Sequence, residues 1–387
     1  MYGRVITNCI PKSSFFLFGP RQTGKTTILE SLKPVLNINL LDPGIHLEFS
    51  KNPELLKKKI EGLDVKSGLV LIDEVQRVPL LLDVVQMMTG SLPDLHFALS
   101  GSSARKLRRG AANLLGGRAV VRSLHPLTMS ELGGNFDIDR VLRFGSLPKI
   151  YSTAEHGDED LAGDLLKSYV VTYLQEEIKS ESLVRNLQGF QNFLEVAALQ
   201  FGEQVNFSNI ERDTLVSYSA VRDYYSILED TMIGFFLPPF LRSRRKRMSH
   251  APKFYFFDNG VTRAILGMHR SGVSPLERGR LWEQWFVQEV CRTNDYHRKE
   301  WKISFWRTSH GAEVDLVIER GREVLCAIEI KSGKTVSSGD LGGIASFREL
   351  YPHVKSYVVH GAGETLNLGG STLLSAGAML KKLVDEF

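Results

Sequence analysis

The sequence predicts an α/β chain with a parallel sheet wrapped by helices at its N-terminal end. A helical middle and a second α/β region follow. Three observations predict this. Short apolar runs alternate with helical stretches over the first 130 residues; a glycine-rich loop follows the first of those runs; and acidic residues alternate with aliphatic ones on two adjacent strands near the C-terminus. At 387 residues and 43% apolar, the chain has enough material for a core in each of two or three domains, which excludes a disordered or fibrous protein.

The N-terminal strands are expected at Phe15–Phe18, Val35–Leu40, Gly68–Ile72, His96–Leu99 and Ala119–Val121, each a run of buried type. Helices are expected between them at Thr26–Leu32, Pro53–Ile60 and Leu80–Met88. After Leu132 the pattern becomes helical: Ile138–Phe144 and Leu161–Ile178, with an acidic loop Tyr151–Asp160 between them. Three further helices, Phe190–Gln200, Phe207–Arg212 and Ser219–Asp230, precede two extended segments around Phe235–Leu241 and Lys253–Phe257. The extended pair flanks Arg242–Arg247, five basic residues in six, and the whole has the outline of a winged helix-turn-helix. The last region reads as helix Leu281–Cys291, strands Ile303–Trp306, Val314–Ile318 and Val324–Ile330, helix Asp340–Leu350, strand Ser356–Val359 and a helical tail. The domain boundaries drawn from this are 1–135, 136–180, 181–270 and 271–387.

Charge narrows the partners only locally. The net charge is +4, but residues 1–135 carry 17 basic against 11 acidic side chains and residues 136–180 carry 5 against 9. Cys9, Cys291 and Cys326 are three and far apart, so no disulfide framework or zinc knuckle is expected and a reducing cytoplasm is the default. The most apolar run, Met232–Leu241, is ten residues with two prolines, too short for a bilayer, so no membrane partner is expected.

The loop Gly19-Pro20-Arg21-Gln22-Thr23-Gly24-Lys25-Thr26, with Thr27 after it, matches G-x-x-x-x-G-K-[ST]. Glycines let main-chain N–H groups wrap phosphates, Lys25 reaches the outer phosphates, and the Thr26 hydroxyl holds Mg²⁺. The helix that starts there adds its positive end. The second motif, Gly68-Leu-Val-Leu-Ile-Asp73-Glu74, ends an apolar strand with a carboxylate where Mg²⁺ sits, and Glu74 is placed to deprotonate an attacking water. The alternative for Asp73-Glu74 is a helix cap. Ser100, after Phe97-Ala-Leu, is either a turn-forming serine or, as the strand's resemblance to the sensor strand of AAA+ ATPases implies, a probe of the γ-phosphate. Arg118 is either a finger for a neighbouring subunit's nucleotide or a solvent- or DNA-facing arginine, and Arg105, Lys106, Arg108 and Arg109 form a basic face. ATP with Mg²⁺ is therefore the expected cofactor of this half.

On the C-terminal strands, Glu313 and Asp315 share one face of their strand, and Glu329 and Lys331 likewise share one face of theirs, because strand side chains alternate. The link Glu319-Arg-Gly-Arg-Glu323 suits a hairpin that would bring Asp315, Glu329 and Lys331 together. Two acids and a lysine among aliphatic neighbours cost desolvation unless they bind something, and a divalent ion on Asp315 and Glu329 would relieve their repulsion. The alternative is a solvated hairpin face.

This D-x(n)-E-x-K pattern resembles the PD-(D/E)XK nuclease core, with Val314 where the name has proline. Gly279-Arg-Leu-Trp-Glu283-Gln-Trp resembles that fold's leading helix, as in archaeal Holliday-junction resolvases. The resemblance implies Glu283, Asp315 and Glu329 as metal ligands for Mg²⁺ or Mn²⁺ and Lys331 as a catalytic partner. Taken with GPRQTGKTT, LVLIDEVQ, LSGSS, LLGGR, GSLPKI and KFYFFDNG, the whole chain resembles a prokaryotic AAA+ ATPase family with a winged-helix segment and a C-terminal nuclease-like domain. That implies the fold order P-loop AAA+ parallel sheet, helical lid, winged helix, nuclease-like α/β domain. It also implies ATP hydrolysis coupled to DNA cleavage, with branched or junction DNA as substrate, and a homo-oligomer such as a hexamer. A nucleotide-dependent switch with a silent nuclease-like domain is the alternative. No lid arginine follows GSLPKI, so no second sensor is assigned.

Overall fold

The structure, a computed structural model, describes residues 2–64, 66–101, 114–174, 186–240, 251–363 and 365–387. The chain divides into two compact units: Met1–Leu127 with Asp230–Ile233, and Thr128–Glu229 with Gly234–Phe387. Residues 136–180, 181–270 and 271–387, drawn from the sequence as three domains, thus fall mostly in one unit.

The first unit is built on five parallel strands, β1 (Phe15–Phe18), β2 (Leu36–Asn39), β3 (Gly68–Asp73), β4 (Leu95–Gly101) and β5 (Val120–Ser123), in the order β2-β3-β4-β1-β5. β1, β3 and β4 lie inside the sheet and are buried along almost their whole length, as uninterrupted apolar runs require. Their side chains meet those of helices Leu55–Gly62 and Leu81–Ser91 in one core that includes Phe16, Phe97, Ile72 and Val85. A helix not expected from the sequence, Pro43–Lys51, lies between β2 and the next helix; Asp42 caps it through the N–H of Ile45, and Pro43 sits in its first turn.

The second unit opens with the short helix Met129–Leu132, capped by Thr128, and continues with helices Ile138–Phe144, Pro148–Glu155 and Glu159–Ser168. The expected loop Tyr151–Asp160 is mostly helix, begun by Pro148. Only 156–158 interrupt it, and Asp158 caps the following helix through the N–H of Leu161. That following helix was expected over Leu161–Ile178. It ends as α-helix at Ser168 and widens into a π-helical turn, Tyr169–Leu174; positions 175–178 lie outside the described residues.

Helices Leu187–Leu199, Phe207–Thr214 and Tyr218–Asp230 then lead into the antiparallel pair β6 (Gly234–Leu237) and β7 (Lys253–Phe256). An aromatic cluster holds them, with Phe193 edge-on to Tyr225 at 4.8 Å and Tyr225 against Phe254 at 4.8 Å. Beyond β6 the chain bonds to the edge of the next sheet, Phe305 N donating to Pro238 O at 3.1 Å. The basic run Arg242–Arg247 and the basic face Arg105–Arg109 lie outside the described residues.

The C-terminal sheet comprises β8 (Lys302–Arg307), β9 (Glu313–Arg320), β10 (Glu323–Ile330), β11 (Lys355–His360), β12 (Leu366–Leu368) and β13 (Ser371–Ser375). They run in the order β12-β13-β11-β10-β9-β8. β8, β9 and β10 are an antiparallel meander, and β11 joins β10 in parallel after helix Gly342–Leu350. The long helix Pro275–His297 precedes them, capped by Ser274. β12 and β13 were not expected. The four tryptophans, Trp282, Trp285, Trp301 and Trp306, are buried.

Two motifs of the middle region serve each other. The N–H of Ser146 donates to Asp258 Oδ2 at 2.7 Å, and Asp258 Oδ1 caps helix Asn259–Ile265 through Val261 N at 3.1 Å. Gly145 has φ +73°, and a Cβ there would meet Asp258 Oδ1 at 1.9 Å, so only glycine fits. GSLPKI and FFDNG are therefore packing partners within the second unit.

Candidate functional site

In the first unit, β1 delivers the chain into the loop Gly19–Thr27, and the helix Lys25–Ser31 starts directly from it. Gly24 has φ +95°, and a Cβ on Gly19 would lie 2.2 Å from the carbonyl oxygen of Leu124, so both glycines are dictated by space and dihedral. The loop is braced internally: buried Thr23 Oγ1 donates to Pro20 O at 2.9 Å, and Arg4 donates to Thr23 O and His125 O at 2.6 Å each. Gln22 adopts φ +63°; Arg21 and Gln22 are half-buried and Thr27 is exposed. Lys25 is buried, its Nζ donating to Gly19 O at 2.8 Å and Pro20 O at 3.0 Å.

At the C-terminal ends of β3 and β4 three groups meet. Thr26 Oγ1 donates to Asp73 Oδ2 at 2.6 Å, Ser100 Oγ donates to Asp73 Oδ1, and Glu74 N donates to Ser100 Oγ at 3.3 Å. Glu74 stands at φ +59°, and the amide of Gln76 donates to its Oε2 at 2.5 Å. The donor set suits a nucleotide with Mg²⁺: an ammonium in the loop, a hydroxyl and a carboxylate in contact, and a second carboxylate beside them. Gln76 and Arg4 are the partners that the sequence reading missed. Arg118 is exposed and donates to Gln86 O at 3.2 Å.

In the second unit, β9 and β10 pair with Ile328 opposite Leu316, and one further step sets Glu329 against Asp315. Ile330 N donates to Asp315 Oδ2 at 2.7 Å, and Lys331 Nζ donates to Glu329 Oε1 at 2.8 Å. Glu283 arrives from the long helix, and buried Lys253 from β7 bonds it at 3.0 Å while bonding Glu313 Oε1 at 2.6 Å. Tyr255 OH donates to the same Glu283 Oε1 at 2.6 Å, and Arg307 pairs with Glu313 Oε2 at 3.1 Å. An open cleft of about 540 Å³ leads to this cluster, lined among others by Gln204, Lys253, Arg280, Glu283 and Glu313.

The electrostatics follow from burial. Burial pushes the Asp315 carboxyl well above the usual carboxylate range, with the charges of Glu329 and Glu283 adding to it and that of Lys253 opposing. Glu329 is raised for the same first reason, against the pull of Lys331, and its Oε2 is buried with no hydrogen-bond partner. Burial opposes the charge on Lys253, but Glu283, Asp315 and Glu313 outweigh it and raise the pKa of the ammonium.

Asp315, Glu329, Lys331 and Glu283 thus come together. Among the described residues, however, no group of three or more His, Cys, Asp or Glu side chains is arranged to hold a metal ion. Glu283, Asp315 and Glu329, expected to share one, do not converge on a common point: Glu283 faces Lys253 and Tyr255, Asp315 takes a main-chain N–H, and Glu329 takes Lys331. The residues present do not fit a divalent ion here. The sequence signal for Lys253 and Tyr255 was the two-residue alternation of KFYF, which puts both on one strand face.

No helix among the described residues is long and apolar enough to cross a membrane. Three family models match successive parts of the chain. Residues 12–133 match an AAA domain, residues 135–272 a domain of unknown function (DUF8612), and residues 278–379 another domain of unknown function (DUF4143). An uncharacterized protein of Mycobacterium tuberculosis is 26% identical over 339 residues, covering 83% of this chain and 70% of its own length. An uncharacterized protein of Mycobacterium bovis matches to the same extent. None of these descriptions supports endonuclease activity. The AAA-domain match and the parallel five-stranded sheet together support an AAA, P-loop ATPase family for the N-terminal part, and with it nucleotide and Mg²⁺ use.

Proposed function

We propose that the chain is an ATP-hydrolysing switch whose second unit binds nucleic acid without cutting it. The observation that carries the ATPase part is the contact of Thr26 and Ser100 with Asp73 at the sheet edge, beside a lysine-bearing loop; the non-cutting part rests on Lys253 standing between Glu283 and Glu313 in the second unit. Lys25 would take the outer phosphates, Thr26 and Asp73 would hold Mg²⁺, and Glu74 would orient and deprotonate water. The ion would neutralise charge that builds up on the phosphates. Ser100, fixed to both Asp73 and Glu74, links the strand end to that chemistry. Arg118, exposed, is offered as the finger of a neighbouring copy in a homo-oligomer such as a hexamer. DNA, branched DNA in particular, is the proposed partner, because Arg242–Arg247 supplies a phosphate-binding charge run.

A metal-dependent endonuclease is the second reading; it requires Glu283, Asp315 and Glu329 to leave the partners they have here and turn toward one ion, and the unpartnered Glu329 oxygen is the observation in its favour. One experiment separates them. Wild type is assayed for ATP turnover and for cleavage and retardation of linear, forked and four-way DNA in Mg²⁺, beside Lys25→Ala and Asp315→Ala. The switch predicts turnover lost in Lys25→Ala, and retarded but intact DNA. Cleavage that Asp315→Ala abolishes supports the endonuclease; absence of ATP turnover overturns the switch.

A further inference from the structure

The cluster at the β9–β10 hairpin gathers carboxylates from three elements: Glu283 from a helix, Glu313 and Asp315 from β9, and Glu329 from β10. Such a group is stable only with positive charge among its members. Lys331 covers Glu329 from the end of the same strand. Lys253 does more. It comes from a distant strand, is 4% exposed, and bonds Glu283 and Glu313 simultaneously at 3.0 and 2.6 Å. Its Nζ also lies 5.4 Å from the centre of the Phe305 ring. Tyr255, on the same face of β7, fixes the Glu283 oxygen that Lys253 uses.

A divalent ion bridging the helix glutamate and Glu313 would have to displace a cation, because Lys253 holds Glu313 Oε1 and Glu283 Oε1 while Arg307 holds Glu313 Oε2. Ammonium and metal are therefore alternatives at one place. A lysine tied to a strand is present at far higher effective concentration than an ion in solution.

We propose that Lys253 is a tethered cation that takes the place of a divalent ion among Glu283, Glu313 and Asp315, and so closes the acidic cluster to metals of the Mg²⁺ and Mn²⁺ class. This rests on the reading of the second unit as non-cutting, and supplies its physical cause. The adjoining cleft, with Arg280 and Arg307 beside Lys253, leaves the cluster reachable from solvent, so exclusion comes from the ammonium rather than from a barrier.

The test is calorimetric titration of Mn²⁺ into the full chain carrying Asp73→Asn, which removes the nucleotide-site metal ligand. The same titration follows with Lys253→Met added. The parent should bind no Mn²⁺ in the micromolar range. Lys253→Met should gain a site at least ten-fold tighter, a Mn²⁺-dependent rise in melting temperature, and loss of both when Glu283→Gln is added. Equal titrations with and without Lys253→Met overturn the proposal. Should Lys253→Met not fold, the parent titration decides: micromolar Mn²⁺ binding, abolished by Glu283→Gln with Lys253 in place, overturns it, and its absence supports it. DNA cleavage by wild type would count against the non-cutting reading, whereas the tethered cation is judged on the titrations alone.

Discussion

Thr26 Oγ1 donates a hydrogen bond to Asp73 Oδ2 at 2.6 Å, joining the start of the first helix to the end of β3 across 47 positions of sequence. The two groups that the motifs assign to one Mg²⁺ are thus already in contact. Thr26→Ala should reduce ATP turnover by about 10²-fold or more, the order found when one preorganised electrostatic contact is removed from a site. Thr26→Ser, which keeps the hydroxyl, should retain most of it. Steady-state kinetics on both variants checks this, and equal loss in the two would refute the assignment.

Glu74→Gln should leave nucleotide binding intact and lower kcat by roughly 10² to 10⁴-fold, the range for a positioned base. Because the Gln76 amide donates to Glu74 Oε2 at 2.5 Å, Gln76→Ala should shift kcat with little change in KM. A fluorescent ATP analogue measures binding, and phosphate release measures turnover.

Ser100 is fully buried and bonds both Asp73 and the N–H of Glu74. Ser100→Ala should cost about 1–3 kcal/mol of stability through those unsatisfied partners, as well as slowing hydrolysis. Urea denaturation followed by a probe in the first unit gives the first quantity. An unchanged midpoint would show that Ser100 braces nothing.

Asp315 gives a pH dependence with a definite sign. In the unfolded chain its carboxyl ionises near pH 4; in the folded chain burial, with Glu329 and Glu283, holds it well above that range. Between the two values the folded chain binds more protons, so stability falls as pH rises through that window. Asp315→Asn should remove this fall and gain stability over wild type above about pH 4. Melting temperatures across the pH range test it, and parallel curves for the two proteins would contradict it.

Phe193 is completely buried among Phe190, Tyr224 and Tyr225. Phe193→Ala should destabilise the second unit by roughly 3–5 kcal/mol, seen by denaturation, with ATP binding by the first unit as the control for folding of the rest.

Much of this site is legible in sequence where one element carries it. The loop from Gly19 to Thr27 is contiguous, and its glycines are required by local dihedral and close approach. Asp73 ends an apolar strand, and β9 and β10 announce their faces by alternation. The helix Pro148–Glu155 was hidden because Gly157 and the surrounding acids read as a loop, whereas Pro148 begins the helix and Asp158 caps the next one.

The residues from Gly19 to Thr27, the strand that ends in Asp73, and the face shared by Asp315, Glu329 and Lys331 followed from the sequence alone. Each depends on local backbone geometry or a two-residue period. Only the tertiary structure decided that Ser100 bridges Asp73 and Glu74, and that Lys253 lies between Glu283 and Glu313. A buried ammonium is stable only where separate elements bring carboxylates to it. No local pattern encodes that meeting, because it depends on how a strand, a helix and a hairpin pack.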